Sequence, residues 1–291
     1  MDNNNIKTAI ALGVFDGVHI GHVEVIKSAL RQEQHGLSPA VFTFRCSAAG
    51  AKNIIPHQMK FDMLRKAGIK TINSSDFADV KDMSAEEFVK EVLVERMNCG
   101  HISCGWNFRF AKNASADTDD LKRVCAVYGI DVVVVPPVCI GYNEDIPVSS
   151  TRIRQAITEG QIELANMMLG YDLTYKLEVV EGAKLGRKLG APTINQIIPD
   201  GCVMPKYGVY KSRAVIDVIS YVAVTNIGVK PTVASDTPVM ETHIPGFNME
   251  MYGQSVKVSL LKYIREEKKF GSLDELKEQI HADVVTACRG G

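Results

Sequence analysis

The hydrophobic pattern changes its period near residue 170, and that change restricts the chain to two successive kinds of fold. Upstream, short apolar runs at 6–12, 40–44, 101–104 and 132–135 alternate with amphipathic stretches. Strands alternating with helices imply βαβ units and a parallel sheet. Residues 23–30 and 120–128 read as helices. Ser84-x-x-Glu87 forms a capping box ahead of Phe88, Val89, Val92, Leu93 and Met97, which share one helical face. Four consecutive valines at 132–135 predict a strand buried on both faces.

Downstream the runs are short and β-rich, at 177–180, 208–216, 221–227, 239–244 and 256–263, with Gly, Pro and Asn between them. This pattern predicts a small antiparallel barrel or sandwich. A last helix follows a second box, Ser272-x-x-Glu275, with Leu273, Leu276, Ile280 and Val284 on one face. The expected architecture is α/β: a Rossmann-like parallel sheet over residues 1–172, then a small antiparallel β-barrel with a C-terminal helix over 173–291.

Composition narrows the function. Lys plus Arg is 33 against 34 Asp plus Glu, a formal charge of −1. That balance argues against a nucleic-acid partner, so any phosphate is held by local sites. Hydrophobic residues at 46% and charged residues at 23% are those of a globular chain. Seven cysteines, an odd count without a C-x-x-C pair, read as reduced thiols of a cytoplasmic protein. The first residues carry no secretion pattern. The longest apolar run, 132–140, contains Pro136-Pro137 and falls short of the ~20 residues a membrane helix needs, so no membrane partner is expected.

The first strand runs directly into Gly13-Val14-Phe15-Asp16-Gly17-Val18-His19-Ile20-Gly21-His22, and a helix follows. Open α/β sheets bind ligands beyond the carboxyl ends of strands, and a helix N-terminus attracts anions. Gly13, Gly17 and Gly21 allow close backbone approach. His19 and His22, three apart, can point the same way, contact phosphate oxygens and stabilise charge as pyrophosphate leaves. A metal-binding pair is the competing reading, but no third ligand accompanies it at ligand spacing. Farther on, Ser149-Ser150-Thr151-Arg152-Ile153-Arg154 offers hydroxyls at a helix start and arginines able to clamp a triphosphate.

A second candidate is Gly186-Arg187-Lys188-Leu189-Gly190-Ala191-Pro192-Thr193-Ile194-Asn195. Pro192 restrains Ala191 to extended backbone. Thr193 and Asn195 then fall on one face, and such oxygens suit Mg²⁺ held together with ATP phosphates. The segment is not a Walker A loop. Taken alone it also reads as a basic hairpin turn.

H-x-G-H after a first strand, with Ser149-Ser150-Thr151-x-Ile153-Arg154 downstream, resembles the nucleotidyltransferase superfamily. The longer string from Gly13 to His22 resembles the prokaryotic bifunctional riboflavin kinase/FMN adenylyltransferase (FAD synthase) family. Gly105-Trp106-Asn107-Phe108-Arg109-Phe110 resembles that family's flavin motif, and the segment 186–195 its G-R-x-L-G-F-P-T-A-N kinase motif. Asn226-Ile227-Gly228-Val229-Lys230-Pro231-Thr232, Met240-Glu241-Thr242-His243-Ile244, Tyr252-Gly253 and Ile264-Arg265-Glu266-Glu267-Lys268-Lys269-Phe270 follow in the family's order. The likeness extends over roughly residues 8–288.

The resemblance implies an N-terminal FMN adenylyltransferase domain and a C-terminal riboflavin kinase domain, with substrates riboflavin, FMN and ATP and with Mg²⁺. It implies catalytic roles for His19, His22 and Glu241, the last as general base. Nucleotide contacts are implied for Gly13, Phe15, Asp16, Gly21, Ser150, Thr151, Arg154, Gly186 and Arg187. Flavin contacts are implied for Asn107, Phe108, Arg109 and Arg265, and metal contacts for Thr193 and Asn195. The chain departs from the family pattern at Arg45, which stands in place of a carboxylate, and at Ala111 and Ala116, which stand in place of glycines. If either alanine needs positive φ, it carries a cost. Alternatives are a riboflavin kinase with a vestigial nucleotidyltransferase domain, a flavin-binding protein without turnover, and a nucleotidyltransferase for another small phosphate. Oligomeric state stays open.

Overall fold

The structure is a computed structural model that describes residues 6–45, 51–141, 146–182, 186, 190–229 and 238–289. Contacts divide the chain into two compact units, Met1–Ser150 and Thr151–Gly291.

The first unit is built on a parallel sheet of β1 (Thr8–Leu12), β2 (Ser38–Phe44), β3 (Thr71–Ser75), β4 (Cys99–Gly105) and β5 (Asp131–Val135). The strand order is β3-β2-β1-β4-β5. Helices α1 (Ile20–Leu30), α2 (His57–Lys66), α3 (Ala85–Glu87, continued by π-helical turns over Phe88–Arg96) and α4 (Thr118–Ala126) connect the strands. Period-two alternation in β1 sends Ile10 and Leu12 into one apolar cluster with Phe42, Phe88 and Ile102. Ala11 enters the other cluster, with Val25, Ile26 and Leu64. The sheet is therefore covered on both faces, as parallel sheets require.

The four valines behave differently from the expectation. β5 lies at the sheet edge and, among the described residues, pairs only with β4, so it alternates between exposed and half-buried, and Val133 is 37% exposed. Continuous burial belongs to the interior strands β1 and β2. The Ser84 capping box forms with both arms, and Phe88, Val89, Val92, Leu93 and Met97 are all buried. The helix expected over 120–128 starts two residues earlier, because Asp117 caps it and pairs reciprocally with Asp120. β3 has no counterpart in the sequence reading, since Thr71-Ile72-Asn73-Ser74-Ser75 carries one large apolar side chain.

Asp131, His101 and Ser103 line up like a hydrolytic triad, with His101 Nδ1 3.2 Å from Asp131 Oδ2 and Nε2 3.2 Å from Ser103 Oγ. Ser103 is fully buried and bonds Ser28, so no substrate reaches its oxygen. The trio is structural.

A short pair, β6 (Cys139–Ile140) and β7 (Ile146–Pro147), leads to α5 (Ser150–Glu159) and α6 (Ile162–Leu169). The second unit then forms an antiparallel sheet from β8 (Leu173–Glu178), β9 (Thr193–Ile197), β10 (Gly208–Ile216), β11 (Ile219–Val229), β12 (Pro238–His243) and β13 (Ser255–Arg265). Its order is β8-β13-β10-β11-β12-β9. The sheet curls until its two edges meet. Val180 N–H donates to Asn195 O at 2.8 Å, and the Gln196 amide donates to Leu177 O and Val256 O at 2.7 and 2.8 Å. Thr225 links Ser212 and Thr242 by buried hydroxyl bonds of 2.8 Å each.

Helix α7 (Leu273–Cys288) closes the chain and packs Val284 and Ala287 on Val209 and Val224. Leu273 departs from the expected apolar face. It is 57% exposed, because the helix is buried at Asp283 and Ala287, toward its far end. The second capping box forms by half: Ser272 Oγ accepts from Glu275 N–H, while the Glu275 carboxylate turns to Gly271 N–H.

Candidate active sites

In the first unit the strand order reverses between β1 and β4, the place where doubly wound sheets bind ligands. The loop after β1 carries the histidine pair, and the loop after β4 carries Asn107, Phe108 and Arg109. The first loop is strained: Phe15 (φ 53) and Val18 (φ 38) take left-handed backbone, as does Gly17 (φ 78). Phe15 is fully buried, with its ring edge-on to His22 at 5.2 Å. Asp16 is buried; its carboxylate accepts from Ile54 N–H at 2.9 Å and its carbonyl accepts from Ser150 Oγ at 3.0 Å. It thus ties the loop to two distant segments.

His19 caps α1, its Nδ1 accepting from His22 N–H at 3.3 Å. The two rings stack 3.5 Å apart with planes at 17°. A proton on His19 is thereby confined to Nε2. Burial pushes His22 well below its ordinary range, and its neighbours His19 and Lys60 push the same way, so His22 is neutral at pH 7. Its Nδ1 is buried and makes no hydrogen bond among the described residues.

Lys60, which the sequence reading passed over, is the cation beneath this loop. It is buried, and its ammonium donates to Phe44 O (2.5 Å), Val14 O (3.3 Å) and Thr43 Oγ1 (3.4 Å). Its only signal in the sequence is one Lys in an amphipathic helix, and its burial depends on contacts from β1 and β2.

Phe108 stacks on Phe110 at 5.8 Å and packs against the sheet core, while Arg109 reaches Asp117 at 3.9 Å in solvent. Ala111 does take positive φ, at 63° with ψ 178°, a region nearly reserved for glycine. Ala116 does not, and pairs with Phe110 as an antiparallel bridge. Arg45 sits exposed and 3.6 Å from Asp76. Thr151 and Arg154 lie in α5, three apart on one side of that helix. Arg187 lies outside the described residues, as do Lys230, Pro231 and Thr232.

In the second unit one cavity of about 310 Å³ is lined by Gly186, Thr193, Asn195, Glu241 and Arg265, all singled out from sequence. Strand register explains their convergence. Asn195, Glu241, Asn226, Val209 and Arg265 are successive partners across β9, β12, β11, β10 and β13, so they form one row on one face of the sheet. Two residues on, Thr193, His243 and Val224 make a second row, and they line the same cavity. Leu276, Ile280 and Asp283 of α7 form its far wall.

Arg265 is held before any ligand arrives: its guanidinium makes a two-pronged bond to the buried Asp283 at 2.9 and 2.7 Å. Asn226 Nδ2 donates to Glu267 Oε1 at 3.1 Å, and Glu267 lies over Gly228 so closely that a Cβ there would overlap its carboxylate. A Cβ on Gly182 would likewise overlap the Asn195 amide. His243, Asn226, Glu267 and Asp283 were not picked as site residues; the i, i+2 spacing of Glu241 and His243 was the signal available for His243.

The donor set here is hard oxygen, from Thr193, Asn195 and Glu241. No group of three or more His, Cys, Asp or Glu able to hold a metal occurs among the described residues. Such a set fits a divalent ion that completes its shell with substrate phosphates rather than one caged by protein.

A switch-point loop with paired histidines, followed by a curled β domain with an oxygen-lined cavity, defines a two-domain nucleotide-dependent transferase. The comparisons place it. The family model described as FAD synthetase matches residues 1–152, and the one described as riboflavin kinase matches 169–289. The bifunctional riboflavin kinase/FMN adenylyltransferase of Bacillus subtilis is 32% identical, covering 97% of this chain and 92% of the relative. That of Escherichia coli K12 is 30% identical over 96% and 91%. A crystal structure from Streptococcus pneumoniae, described as a macrolide-efflux protein, aligns with TM-score 0.89 at 30% identity over 99% of this chain and 96% of that one. The chain belongs to the bifunctional riboflavin kinase/FMN adenylyltransferase family and carries both of its enzyme domains. Among the described residues no helix is long and apolar enough to cross a membrane.

Proposed function

We propose that this chain makes FMN and then FAD, with the kinase step in the cavity of the second unit and the adenylyl step at the β1–β4 switch point. The row that brings Asn195, Glu241 and Asn226 side by side carries this reading. Glu241 takes the proton of the riboflavin 5′-hydroxyl as that oxygen bonds to the γ-phosphorus of ATP, and ADP leaves. Thr193 and Asn195 would hold Mg²⁺, which would supply neutralisation of charge on the transferring phosphate. Nucleotide contacts are assigned to Gly186 and, by the family motif, to Arg187, and the flavin contact to Arg265, which Asp283 fixes.

In the adenylyl step an FMN phosphate oxygen attacks the α-phosphorus of a second ATP, and pyrophosphate leaves. No protein nucleophile takes part, so positioning and charge stabilisation supply the rate. His19 and His22 sit at the start of α1, where helix N–H groups and a His19 Nε2 proton converge on an anion. Gly13, Phe15, Asp16 and Gly21 shape that loop, and Ser150, Thr151 and Arg154 complete the nucleotide contacts. Asn107, Phe108 and Arg109 receive the flavin. We place the functional boundary near residue 173 and the enzyme in the cytoplasm, without a nucleic-acid partner.

The test is chromatography of products from purified protein given riboflavin and MgATP. FMN and then FAD are expected. Joint His19→Ala and His22→Ala substitution cuts FAD formation by at least about 10²-fold while sparing FMN. Glu241→Gln does the reverse: FMN synthesis stops, and FAD still forms from supplied FMN. Wild-type protein that stops at FMN would mean that the nucleotidyltransferase domain is vestigial, the reading that strain at Ala111 favours.

A further inference from the structure

The ladder between β12 and β9 ends at His243 and Thr193. The residue just before β9 is Pro192, which has no N–H and cannot extend the ladder. A strand end of this kind frays unless something else holds it. Here the side chain of His243 does so, with Nδ1 2.9 Å from Pro192 O. The carbonyl can only accept, so His243 Nδ1 carries the proton and donates. One residue back, Ala191 N–H donates to Gly186 O at 2.8 Å. Two consecutive bonds thus connect the strand of Glu241 to Gly186: His243 to Pro192, then Ala191 to Gly186. Gly186, Ala191, Thr193, Glu241 and His243 all line the one cavity.

We propose that His243 is a positioning residue of the kinase step: its Nδ1–H bond to Pro192 O holds Gly186, through Ala191, and the Thr193 oxygen in fixed relation to Glu241. This rests on the kinase assignment of the cavity. The role belongs to Nδ1 and not to Nε2. A base or a phosphate ligand at this position would act through Nε2, the nitrogen that the Pro192 bond leaves over.

The two nitrogens are separable by substitution. Asn places an amide N–H near the position of Nδ1, and Gln places one near Nε2. Riboflavin phosphorylation is measured as initial rates against MgATP for wild type, His243→Asn, His243→Gln and His243→Ala. Adenylylation of supplied FMN and thermal melting are followed in parallel, so that loss of fold is read separately from loss of function. Expected is rescue by Asn, with KM for MgATP and kcat within about threefold of wild type, while Gln and Ala raise that KM about tenfold or more and leave FMN adenylylation intact. Asn as damaging as Ala, or Gln the better replacement, overturns the role of Nδ1 and shifts it to Nε2. Kinetics unchanged in all three overturn any role. Wild type that makes no FMN brings down the kinase assignment and this inference together, whereas wild-type turnover lost in Glu241→Gln keeps the assignment independent of what His243 does.

Discussion

Single residues decide how the loops of the first unit are held. Ala111 sits at φ 63 and ψ 178, where a Cβ collides with the backbone, and Asn113 (φ 56) and Ala114 (φ 53) follow it with left-handed backbone. Ala111→Gly removes the collision, and a gain of about 1 kcal/mol or more in unfolding free energy is expected, read from denaturant melts. The sequence marked Ala111 and Ala116 as equal suspects; only backbone geometry separates them, because a sequence names the side chain and not φ. Lys60 is the opposite case. Its three acceptors, Val14 O, Thr43 Oγ1 and Phe44 O, come from segments that meet only in the folded sheet, so nothing near Lys60 in sequence announces its burial. Lys60→Met removes the ammonium donor to Phe44 O, while Val14 O keeps its bond from Thr43 Oγ1. It is expected to cost about 1–3 kcal/mol and to lower FAD formation, with FMN formation retained as the control.

Elements were legible where local chemistry sets them. The Ser84 box and the bounds of β10 matched the pattern because each depends on neighbours in sequence. β3 and the exposure of β5 depend on the sheet order, which is long-range. The cavity was legible in part for the same reason. Glu241, Thr193 and Asn195 came from motifs, whereas the row joining them to Asn226 and Arg265 exists only once five strands are in register. Asp283 shows the same limit on helix α7. It lies among Val284, Ala287 and Ile280, and reads from sequence as one more solvated carboxylate. In the fold it is 3% exposed and anchors the helix to β13 through Arg265. Asp283→Ala leaves the Arg265 charge half-buried without its partner, and a loss of about 3 kcal/mol is expected. Because α7 is a cavity wall, KM for riboflavin should rise in the same variant, while adenylylation of FMN stays at the wild-type rate.

At the scale of the whole molecule the two units are expected to differ in their response to acid. Burial lowers His22, aided by His19 and Lys60, and burial also lowers His101 despite the opposing pull of Asp131. Both histidines belong to the first unit. A histidine whose folded pKa lies below its unfolded value of 6.5 binds its proton more readily when the chain is unfolded. Its contribution to stability is therefore complete above about pH 6.5 and is lost as the pH falls below that value. The first unit should weaken between pH 7 and pH 5, and the activities should separate accordingly. Thermal inactivation of FMN adenylylation and of riboflavin phosphorylation, each assayed at neutral pH after heating at pH 7 or pH 5, reads the two units independently. The half-life of adenylylation is expected to shorten more on acidification than that of phosphorylation. His101→Gln, which has no ring to protonate, should narrow the gap. If both half-lives shorten by the same factor, the acid response does not come from these two buried rings.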